Sequence, residues 1–456
     1  MPRERLGSRL GFILLSAGCA IGVGNVWKFP WMVGQYGGGA FVVCYVLFLL
    51  ILGLPIMTME FAIGRASQKS PVRAYQALEK PGSKWHIHGY LAMIGNYLLM
   101  MFYTTVCGWM LYYFYLTVSG RFVGATSEQV QAAFPEMLGK PVVMAVCMVA
   151  VVVVGFMINS FGLQGGLERV TKVMMIILLA IMVILAINSI VTEGSGEGLR
   201  FYLIPDLGRM QECGIANVIV AAMNQAFFTL SLGIGAMAIF GSYIGKGRAL
   251  LGEAVNVAIL DTFVAFTAGL IIFPACFAFG VAPDSGPNLI FVTLPNIFNH
   301  MALGRLWGSL FFVFMAFAAF STVLAVFENI MSCCMDLTGW SRKKTAAINI
   351  VLMILLSMPC VLGFNVWSGF QPFGPGSNVL DLEDFLVSNL WLPLGSLVYL
   401  LFCTSRYGWG WKNFQNEANE GGGIKVRDGI RFYVSYILPL IVLVIFVLGI
   451  RDKFFA

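Results

Sequence analysis

Charged residues are scarce in this sequence of 456 residues. They make up 11% of the chain, whereas hydrophobic residues make up 59%. A soluble domain usually has about 25% charged residues, because it needs polar side chains to cover its surface. A chain of this composition must instead expose much of its surface to lipid. The low charge excludes an ordinary soluble protein and predicts an integral membrane protein.

Histidine is also rare, and the ten cysteines do not suggest a disulfide framework. His86, His88 and His300 lack the spacing of metal ligands. Most cysteines fall in apolar runs, where a thiol behaves as a small hydrophobic group. The net charge of +6 is attributed to membrane topology, so we expect no nucleic-acid partner.

Long apolar runs recur along the whole chain. Because a helix needs about 20 apolar residues to cross a bilayer, we predict an all-α membrane protein with eleven transmembrane helices. The first run is too long for a signal peptide and continues directly into the second. The predicted spans are 10–34, 40–66, 88–120, 141–158, 166–190, 215–244, 250–280, 305–336, 345–363, 385–404 and 431–450.

Basic residues are distributed unevenly between the predicted loops. The amino-terminal segment and the clusters at 65–84, 342–344 and 406–431 fall on one predicted side, and few basic residues fall on the other. Positively charged loops remain in the cytoplasm. We therefore expect a multi-pass protein of the inner, or plasma, membrane, with the amino terminus in the cytoplasm and the carboxyl terminus outside.

Two predicted spans contain clusters of glycine at mid-membrane depth. The first contains Gly18, Gly22 and Gly24, and the sixth contains Gly233 and Gly235. Glycine costs about 1 kcal/mol relative to alanine inside a helix, and broken backbone is tolerated in a membrane where it lines a cavity. Close packing of small residues is the alternative interpretation. Because the clusters occupy matching positions of two five-helix halves, they favour broken helices around a central transport site.

The same pattern predicts the organisation of the chain. We interpret residues 1–456 as a single transporter domain. Residues 1–190 would form the first inverted repeat, residues 215–404 the second, and residues 431–450 an additional eleventh helix.

The glycine clusters belong to two longer motifs. The stretch SAGCAIGVGNVWKFP begins at Ser16, and QAFFTLSLGIG begins at Gln225. Together they resemble the neurotransmitter:sodium symporter family, and its bacterial amino-acid transporters in particular. The resemblance covers nearly the whole chain and implies the leucine-transporter fold with helices 1 and 6 broken.

The resemblance also implies a function. It predicts a sodium-coupled symporter of hydrophobic, aliphatic or aromatic, amino acids that works by alternating access. Two Na⁺ per substrate are expected, and a monomer would suffice for transport. A proton-coupled amino-acid carrier of the same fold is the alternative, although the adjacent hydroxyls of Ser321 and Thr322 disfavour it. An intramembrane enzyme or a channel would not require matched helix breaks.

Sodium prefers oxygen ligands, and helix breaks supply free carbonyl groups. By resemblance, the first sodium would be bound by Ala20, Asn25, Thr229 and Asp261, together with the substrate carboxylate. The second would be bound by the carbonyls of Gly18, Ile21 and Ala318 and the hydroxyls of Ser321 and Thr322. Those hydroxyls could instead bond back to their own helix. Asp261 is more informative, because an acid inside a membrane is functional by default.

The substrate site follows from the same resemblance. The carboxylate would meet the amides of Val23 and Gly24 and the hydroxyl of Tyr103. The ammonium would meet the carbonyls of Ala20, Phe228 and Thr229 and the hydroxyl of Ser231. The predicted walls are Leu99, Tyr103, Phe228, Ile234, Thr322 and Val326. Relatives that carry amines have Asp at the position of Gly22, so this glycine predicts a substrate with its own carboxylate.

Further polar residues resemble the gates of the family. Lys28 and Asp384 match the extracellular ion pair, although lysine cannot form the two-pronged contact that arginine makes. Arg3 and Asp336, with Ser242 and Tyr243, match the inner closure.

Asp261 further predicts independence from chloride. Chloride-dependent relatives have Asn at this position and bind the anion among residues that correspond to Tyr45, Gln225, Thr229, Asp261 and Ala265. A fixed negative charge there would replace chloride and repel it. A proton could neutralise this acid when the empty carrier returns.

Overall fold

The computed structural model describes residues 4–281 and 288–454, apart from the side chain of Asp452, and every regular element among them is a helix. Several of the longer helices contain a π-helical turn, which lies within the bounds of the helix concerned, and a further π-helical turn, Leu289–Thr293, directly precedes the short helix that begins at Leu294. The helices are α1 (Arg9–Ala20), α2 (Gly24–Gln35), α3 (Gly39–Ser67), α4 (Pro71–Leu78), α5 (His86–Val118), α6 (Ser127–Leu138), α7 (Pro141–Ser160), α8 (Leu163–Val191), α9 (Gly196–Leu203), α10 (Leu207–Glu212), α11 (Ile215–Thr229), α12 (Ala236–Gly241), α13 (Leu250–Ala278), α14 (Leu294–His300), α15 (Gly304–Thr338), α16 (Arg342–Leu362), α17 (Val379–Thr404), α18 (Trp411–Ala418) and α19 (Asp428–Arg451).

Nine helices of the described chain are long and apolar enough to cross a membrane, and α1 with α2 forms a tenth span. The two halves of that span are bent by 55° at the break. Helix α1 ends where Ile21 adopts extended backbone with ψ of 105°. The predicted interruption of the first span is therefore present.

The sixth apolar segment is also interrupted. Helix α11 ends at Thr229 and α12 begins at Ala236. Between them, Gly233 and Gly235 have φ of 94° and 74°, a region that glycine enters without steric cost. Helices α11 and α12 are each too short to cross a membrane alone. By the criterion of helix length, the described residues therefore contain ten spans rather than the predicted eleven. The assignment of 1–190 and 215–404 as inverted repeats remains a prediction.

The helices differ in how much apolar surface they bury. In α15, 78% of the most apolar 18-residue stretch is buried, whereas in α7 and α19 only 33% of the corresponding stretch is buried. Helix α15 packs against α5, α8 and α1, and α5 packs in turn against α7 and α16. Helices α5 and α15 are thus central, while α7 and α19 direct most of their side chains outward, where lipid would solvate them.

Side chains from neighbouring helices satisfy the backbone of the second break. The carboxylate of Glu60 in α3 accepts hydrogen bonds from the amides of Gly233 at 2.6 Å and Met237 at 3.2 Å. Asn96 in α5 donates to the carbonyl of Ile234 at 2.8 Å, and Asn329 in α15 donates to it at 3.4 Å. An unsatisfied backbone group is costly away from water, so these buried side chains stabilise the broken helix.

Candidate transport site

The two helix breaks, together with α5, α15 and α17, line a narrow central cavity. Most of its walls are apolar or glycine backbone, and the hydroxyls of Tyr103, Ser231 and Thr322 supply polar groups. The lining residues are Cys19, Ala20, Gly22, Gly24, Leu99, Tyr103, Phe228, Ser231, Thr322 and Leu392. Seven of these are predicted substrate residues, and Leu392 is an addition.

One side of the cavity is shaped by a close approach between α5 and the first break. The amide of Val23 donates a hydrogen bond of 2.8 Å to the hydroxyl of Tyr103. A Cβ atom on Gly22 would lie 2.2 Å from that hydroxyl and 2.5 Å from Oγ1 of Thr322. Only glycine fits here without displacing both side chains. The structure thus brings together two of the groups predicted to meet a carboxylate.

Some predicted substrate residues lie away from the cavity wall. Ile234 and Val326 are buried but do not line the cavity. The side chain of Ile234 approaches Gly95 in α5 instead. Val23 lines a second cavity on the other side of Phe228. The hydroxyl of Thr229 points toward Asp261.

Asp261 is a fully buried acid that joins three elements of the fold. Its carboxylate accepts hydrogen bonds from Asn25 Nδ2 at 2.8 Å, from Tyr45 at 3.2 Å and from Thr229 at 3.2 Å. Asn25 also accepts a bond of 3.1 Å from the amide of Gly22 at the first break. Asn25, Thr229 and Asp261, predicted for the first sodium, therefore form one cluster, and Ala20 lines the adjacent cavity.

Gln225 extends this cluster. Its Nε2 donates to the carbonyl of Gly24 at 2.8 Å, while its Oε1 is buried and has no hydrogen-bond partner among the described residues. The cluster is rich in oxygen atoms and contains one acid. This chemistry suits a hard monovalent cation that travels as a substrate of transport.

A second set of oxygens lies where α15 passes the first break. Ser321 donates to the carbonyls of Ala318 at 2.9 Å and Ile21 at 3.2 Å. Thr322 donates to the carbonyls of Gly18 at 3.3 Å and Ile21 at 3.2 Å. All five residues predicted for the second sodium converge here. The carbonyls that Thr322 contacts belong to the first span rather than to its own helix, unlike the back-bonding alternative.

One end of the cavity is covered by Phe228 and an ion pair. The ammonium of Lys28 lies 3.5 Å from Asp384 and 3.9 Å from the centroid of the Phe228 ring. Ser388 bridges the pair, because it contacts Lys28 at 3.4 Å and donates to Asp384 at 2.7 Å. On the far side of Phe228 lies a vestibule of about 220 Å³. The predicted extracellular pair is thus formed.

The opposite side is held by a larger network. Tyr243 donates to Glu328 at 2.6 Å, and Arg342 contacts both oxygens of that carboxylate, at 2.7 and 3.0 Å. Arg342 also pairs with Glu4 at 3.3 Å. Asp336 accepts a bond of 2.8 Å from the amide of Ser70.

Two other residues are predicted for the inner closure. Ser242 donates to the carbonyl of Ile239 at the end of α12. Arg3 lies outside the described residues, so its predicted pairing with Asp336 stays a prediction.

Comparison with known proteins identifies the family. The model of the sodium:neurotransmitter symporter family matches residues 3–132 and 132–453. This chain belongs to that family. It is a sodium-dependent symporter of a family of secondary transporters, not an enzyme, and a multi-pass membrane protein.

Individual relatives support the assignment. The chain is 34% identical over 442 residues to YhdH of Bacillus subtilis, described as a sodium-dependent transporter, with 96% of each chain covered. It is 30% identical to the sodium-dependent transporter MJ1319 of Methanocaldococcus jannaschii, covering 97% of this chain and 89% of that one. The crystal structure of MhsT in complex with L-phenylalanine matches with a TM-score of 0.87 and 35% identity, over 98% of this chain and all of the other.

Several residues that support the site were not predicted. Glu60, Asn96 and Asn329 hold the second break, and Leu392 closes one wall of the cavity. The polarity of Glu60 inside an apolar span was the available signal, because such an acid is costly without a function or a partner. Nothing in the local pattern marks Leu392, since leucine is common in any apolar span.

Proposed function

We propose that this member of the family drives hydrophobic L-amino acids across the membrane together with two Na⁺, without chloride, by alternating access. The observation that carries the proposal is the arrangement around Gly22. An amide and a phenol hydroxyl meet there, and none of the described residues that line the cavity is acidic. Such a surface favours a substrate that brings its own carboxylate.

The rest of the cavity supports a hydrophobic side chain. Leu99, Phe228 and Leu392 contribute apolar walls, and a charged substrate side chain would lose its hydration there without a counterion. MhsT, which is similar over the whole chain, has been crystallised with L-phenylalanine. Aliphatic and aromatic amino acids are therefore the proposed substrates. The ammonium group would bind near Ser231 and the carbonyls of Ala20, Phe228 and Thr229.

Two sodium sites fit the two oxygen clusters. The first would use Ala20, Asn25, Thr229, Asp261 and the substrate carboxylate, and the second would use Gly18, Ile21, Ala318, Ser321 and Thr322. A tenfold gradient supplies about 1.4 kcal/mol and 100 mV supplies about 2.3 kcal/mol per charge. Two ions thus provide about 7 kcal/mol, enough for an accumulation of about five orders of magnitude.

The charge of Asp261 supports transport without chloride. Its carboxylate lies among Tyr45, Thr229 and Asn25, so an anion placed beside it would be repelled. Ala265 on the next turn of α13 has no hydroxyl to bind an anion. A proton-coupled carrier remains the second candidate, but the convergence of Ser321 and Thr322 on the carbonyls of the first break favours sodium.

Alternating access would use the two closures at opposite ends of the cavity. The Lys28–Asp384 pair would open toward the outside, and the network around Tyr243 and Asp336, with Arg3, would open toward the cytoplasm. This orientation, with the amino terminus inside and the carboxyl terminus outside, rests on the distribution of basic residues. One chain contains both oxygen clusters and the cavity, so a monomer would suffice in the inner membrane.

Binding to purified protein would test the function. The detergent-solubilised transporter is incubated with labelled L-phenylalanine, L-leucine or L-tryptophan in NaCl, sodium gluconate or choline chloride. We expect binding of at least one of them in both sodium salts and none in choline, with a sodium Hill coefficient near two. Equal binding in choline would contradict sodium coupling, and a requirement for chloride would contradict the proposed role of Asp261.

A further inference from the structure

Glu383 is a buried acid that takes no part in the transport site or in its two closures. It lies in α17 next to Asp384 and is only 3% exposed. Neither carboxyl oxygen has a hydrogen-bond partner among the described residues. The thiol of Cys360 in α16 lies against the carboxyl group, and Thr105 in α5 lies beside that thiol.

The charged groups around Glu383 do not compensate a negative charge there. Lys28 pairs with Asp384, and Lys453 at the end of the chain lies over the ring of Phe373 and near Asp381. The segment 363–378, which joins α16 to α17, contains no charged residue. The two neighbouring aspartates would repel an ionised Glu383.

The lack of a counterion determines the charge state of Glu383. An uncompensated ion in the protein interior costs several kcal/mol, so Glu383 is neutral in this conformation. A hard cation such as sodium prefers oxygen ligands, whereas the side chain placed against the carboxyl group is the thiol of Cys360, so a proton is the better neutralising cation. Among the described residues there is also no cluster of three or more His, Cys, Asp or Glu that could hold a metal ion.

The position of Glu383 links that proton to the outer gate. Leu380, Asp381 and Asp384 line the vestibule. Glu383 is one residue from Asp384, about 100° further round the helix, and faces α5 and α16. A movement of this part of α17 that separates Asp384 from Lys28 would admit vestibule water to Glu383. In water a glutamic acid has a pKa of about 4.3 and is ionised at neutral pH.

From this geometry we infer that Glu383 is a proton-binding site coupled to closure of the outer gate. Its carboxylate takes up one proton from the outside solution as the gate closes and returns it when the gate reopens. The inference rests on the proposed function, because substrate binding is the event that closes the gate. It differs from protonation of Asp261, which would replace sodium in the empty carrier.

The test measures substrate affinity against pH at saturating sodium, where Asp261 is paired with the ion. The substrate is whichever of L-phenylalanine, L-leucine and L-tryptophan binds most tightly in NaCl. Because closure takes up a proton, affinity should fall as pH rises, by up to tenfold per pH unit between about pH 6 and 8. Glu383→Gln, a neutral isostere, should bind with an affinity that does not change between pH 6 and 8 and that is higher than that of the unchanged protein at pH 6, where Glu383 is still ionised in the open state. Glu136→Gln, at an exposed position, serves as the control and should keep the pH dependence.

Calorimetry in two buffers of different ionisation enthalpy gives a second readout. The unchanged protein should take up close to one proton per substrate at pH 7.5, and Glu383→Gln should take up close to none. Glu383→Met provides an apolar alternative in case the glutamine variant does not fold. An affinity that is equal at pH 6 and 8, or an unchanged pH slope in either variant, overturns this inference alone. Absence of sodium-dependent binding at every pH would refute the proposed function as well.

Discussion

Lys28 lies 3.9 Å from the centroid of the Phe228 ring and 3.5 Å from the carboxylate of Asp384. One ammonium group therefore connects the residue that covers the central cavity with the residue that closes the vestibule. Removal of this charge should loosen both contacts at once.

We expect Lys28→Met to release bound substrate faster. The ion pair is partly exposed, which limits it to about 1 kcal/mol, and the contact with the ring adds about 0.5–1 kcal/mol. Together these correspond to an increase in dissociation rate of about 10- to 30-fold. Dissociation of labelled substrate after dilution, at saturating sodium, measures the effect. As a control, Arg209→Met removes a similar contact with the ring of Phe201 and should leave the dissociation rate unchanged. An unchanged dissociation rate in Lys28→Met would contradict the assignment of Lys28 to the gate.

Gly22→Asp should abolish binding of amino acids. The new carboxylate would face the substrate carboxylate, and its Cβ would lie 2.2 Å from the hydroxyl of Tyr103. Gly22→Ala separates these causes, because it introduces the clash without the charge. Gly22→Ala should weaken amino-acid binding without changing its selectivity, whereas Gly22→Asp should also favour the decarboxylated amine over the amino acid. Retained uptake of amino acids in Gly22→Asp would show that the substrate carboxylate lies elsewhere.

The sequence anticipated the broken helices for a physical reason. Gly233 and Gly235 adopt positive φ, a conformation that most residues avoid. The need for glycine at these positions is therefore visible in the local sequence. The same holds for Gly22, whose missing side chain permits the approach of Tyr103. Backbone constraints of this kind can be predicted from sequence, because they require glycine at particular positions.

Contacts between helices that are distant in sequence could not be predicted in this way. Asn96 and Asn329 are 233 residues apart, yet both bind the carbonyl of Ile234. Their partner is a backbone atom exposed only by the break, so neither residue stands out within its own span. Ile234 was placed at the cavity wall by resemblance, but this fold holds its carbonyl and turns its side chain toward Gly95. Such details depend on the packing of three helices and could not be read from one sequence.

Ser321→Ala combined with Thr322→Ala should remove one sodium ion from the transport cycle. Both hydroxyls contact the carbonyl of Ile21, and the alanines would leave too few oxygens to bind sodium. The sodium Hill coefficient of substrate binding should fall from about two to one. Thr267→Ala is a suitable control, since that hydroxyl donates to the carbonyl of Phe263 in its own helix at 2.7 Å. A coefficient of two in the double variant would exclude this second site.

Arg342→Met should destabilise the inner closure. Arg342 contacts both oxygens of Glu328, which is fully buried. Loss of one partner from a buried ion pair costs on the order of 3 kcal/mol, so the melting temperature in detergent should fall.

The double variant Arg342→Met with Glu328→Gln distinguishes this cause from lost packing. Because glutamine carries no charge, most of the stability should return. Arg406→Met, at an exposed position, controls for loss of a surface arginine. A double variant as unstable as Arg342→Met would show that the ion pair is not responsible.

Asp261→Asn should make transport depend on chloride. The aspartate accepts hydrogen bonds from Asn25, Tyr45 and Thr229, and it supplies the negative charge of the first sodium cluster. An asparagine removes that charge and turns one acceptor into a donor that faces other donors. Apparent sodium affinity in chloride-free buffer should therefore fall by at least tenfold, since a hydrogen bond to a charged group contributes about 1.5–3 kcal/mol.

Chloride should restore part of this loss, because the anion can supply the missing negative charge beside the cation. The restoration should be greater in Asp261→Asn with Ala265→Ser, where a hydroxyl is added on the next turn of α13. Sodium activation of substrate binding, measured in chloride and in gluconate, gives both effects in one experiment. Asp206→Asn, on the surface, should respond to neither anion. If Asp261→Asn kept full sodium affinity in gluconate, the charge of Asp261 would not contribute to sodium binding and would only stabilise helix packing. The proposed explanation of chloride independence would then be wrong.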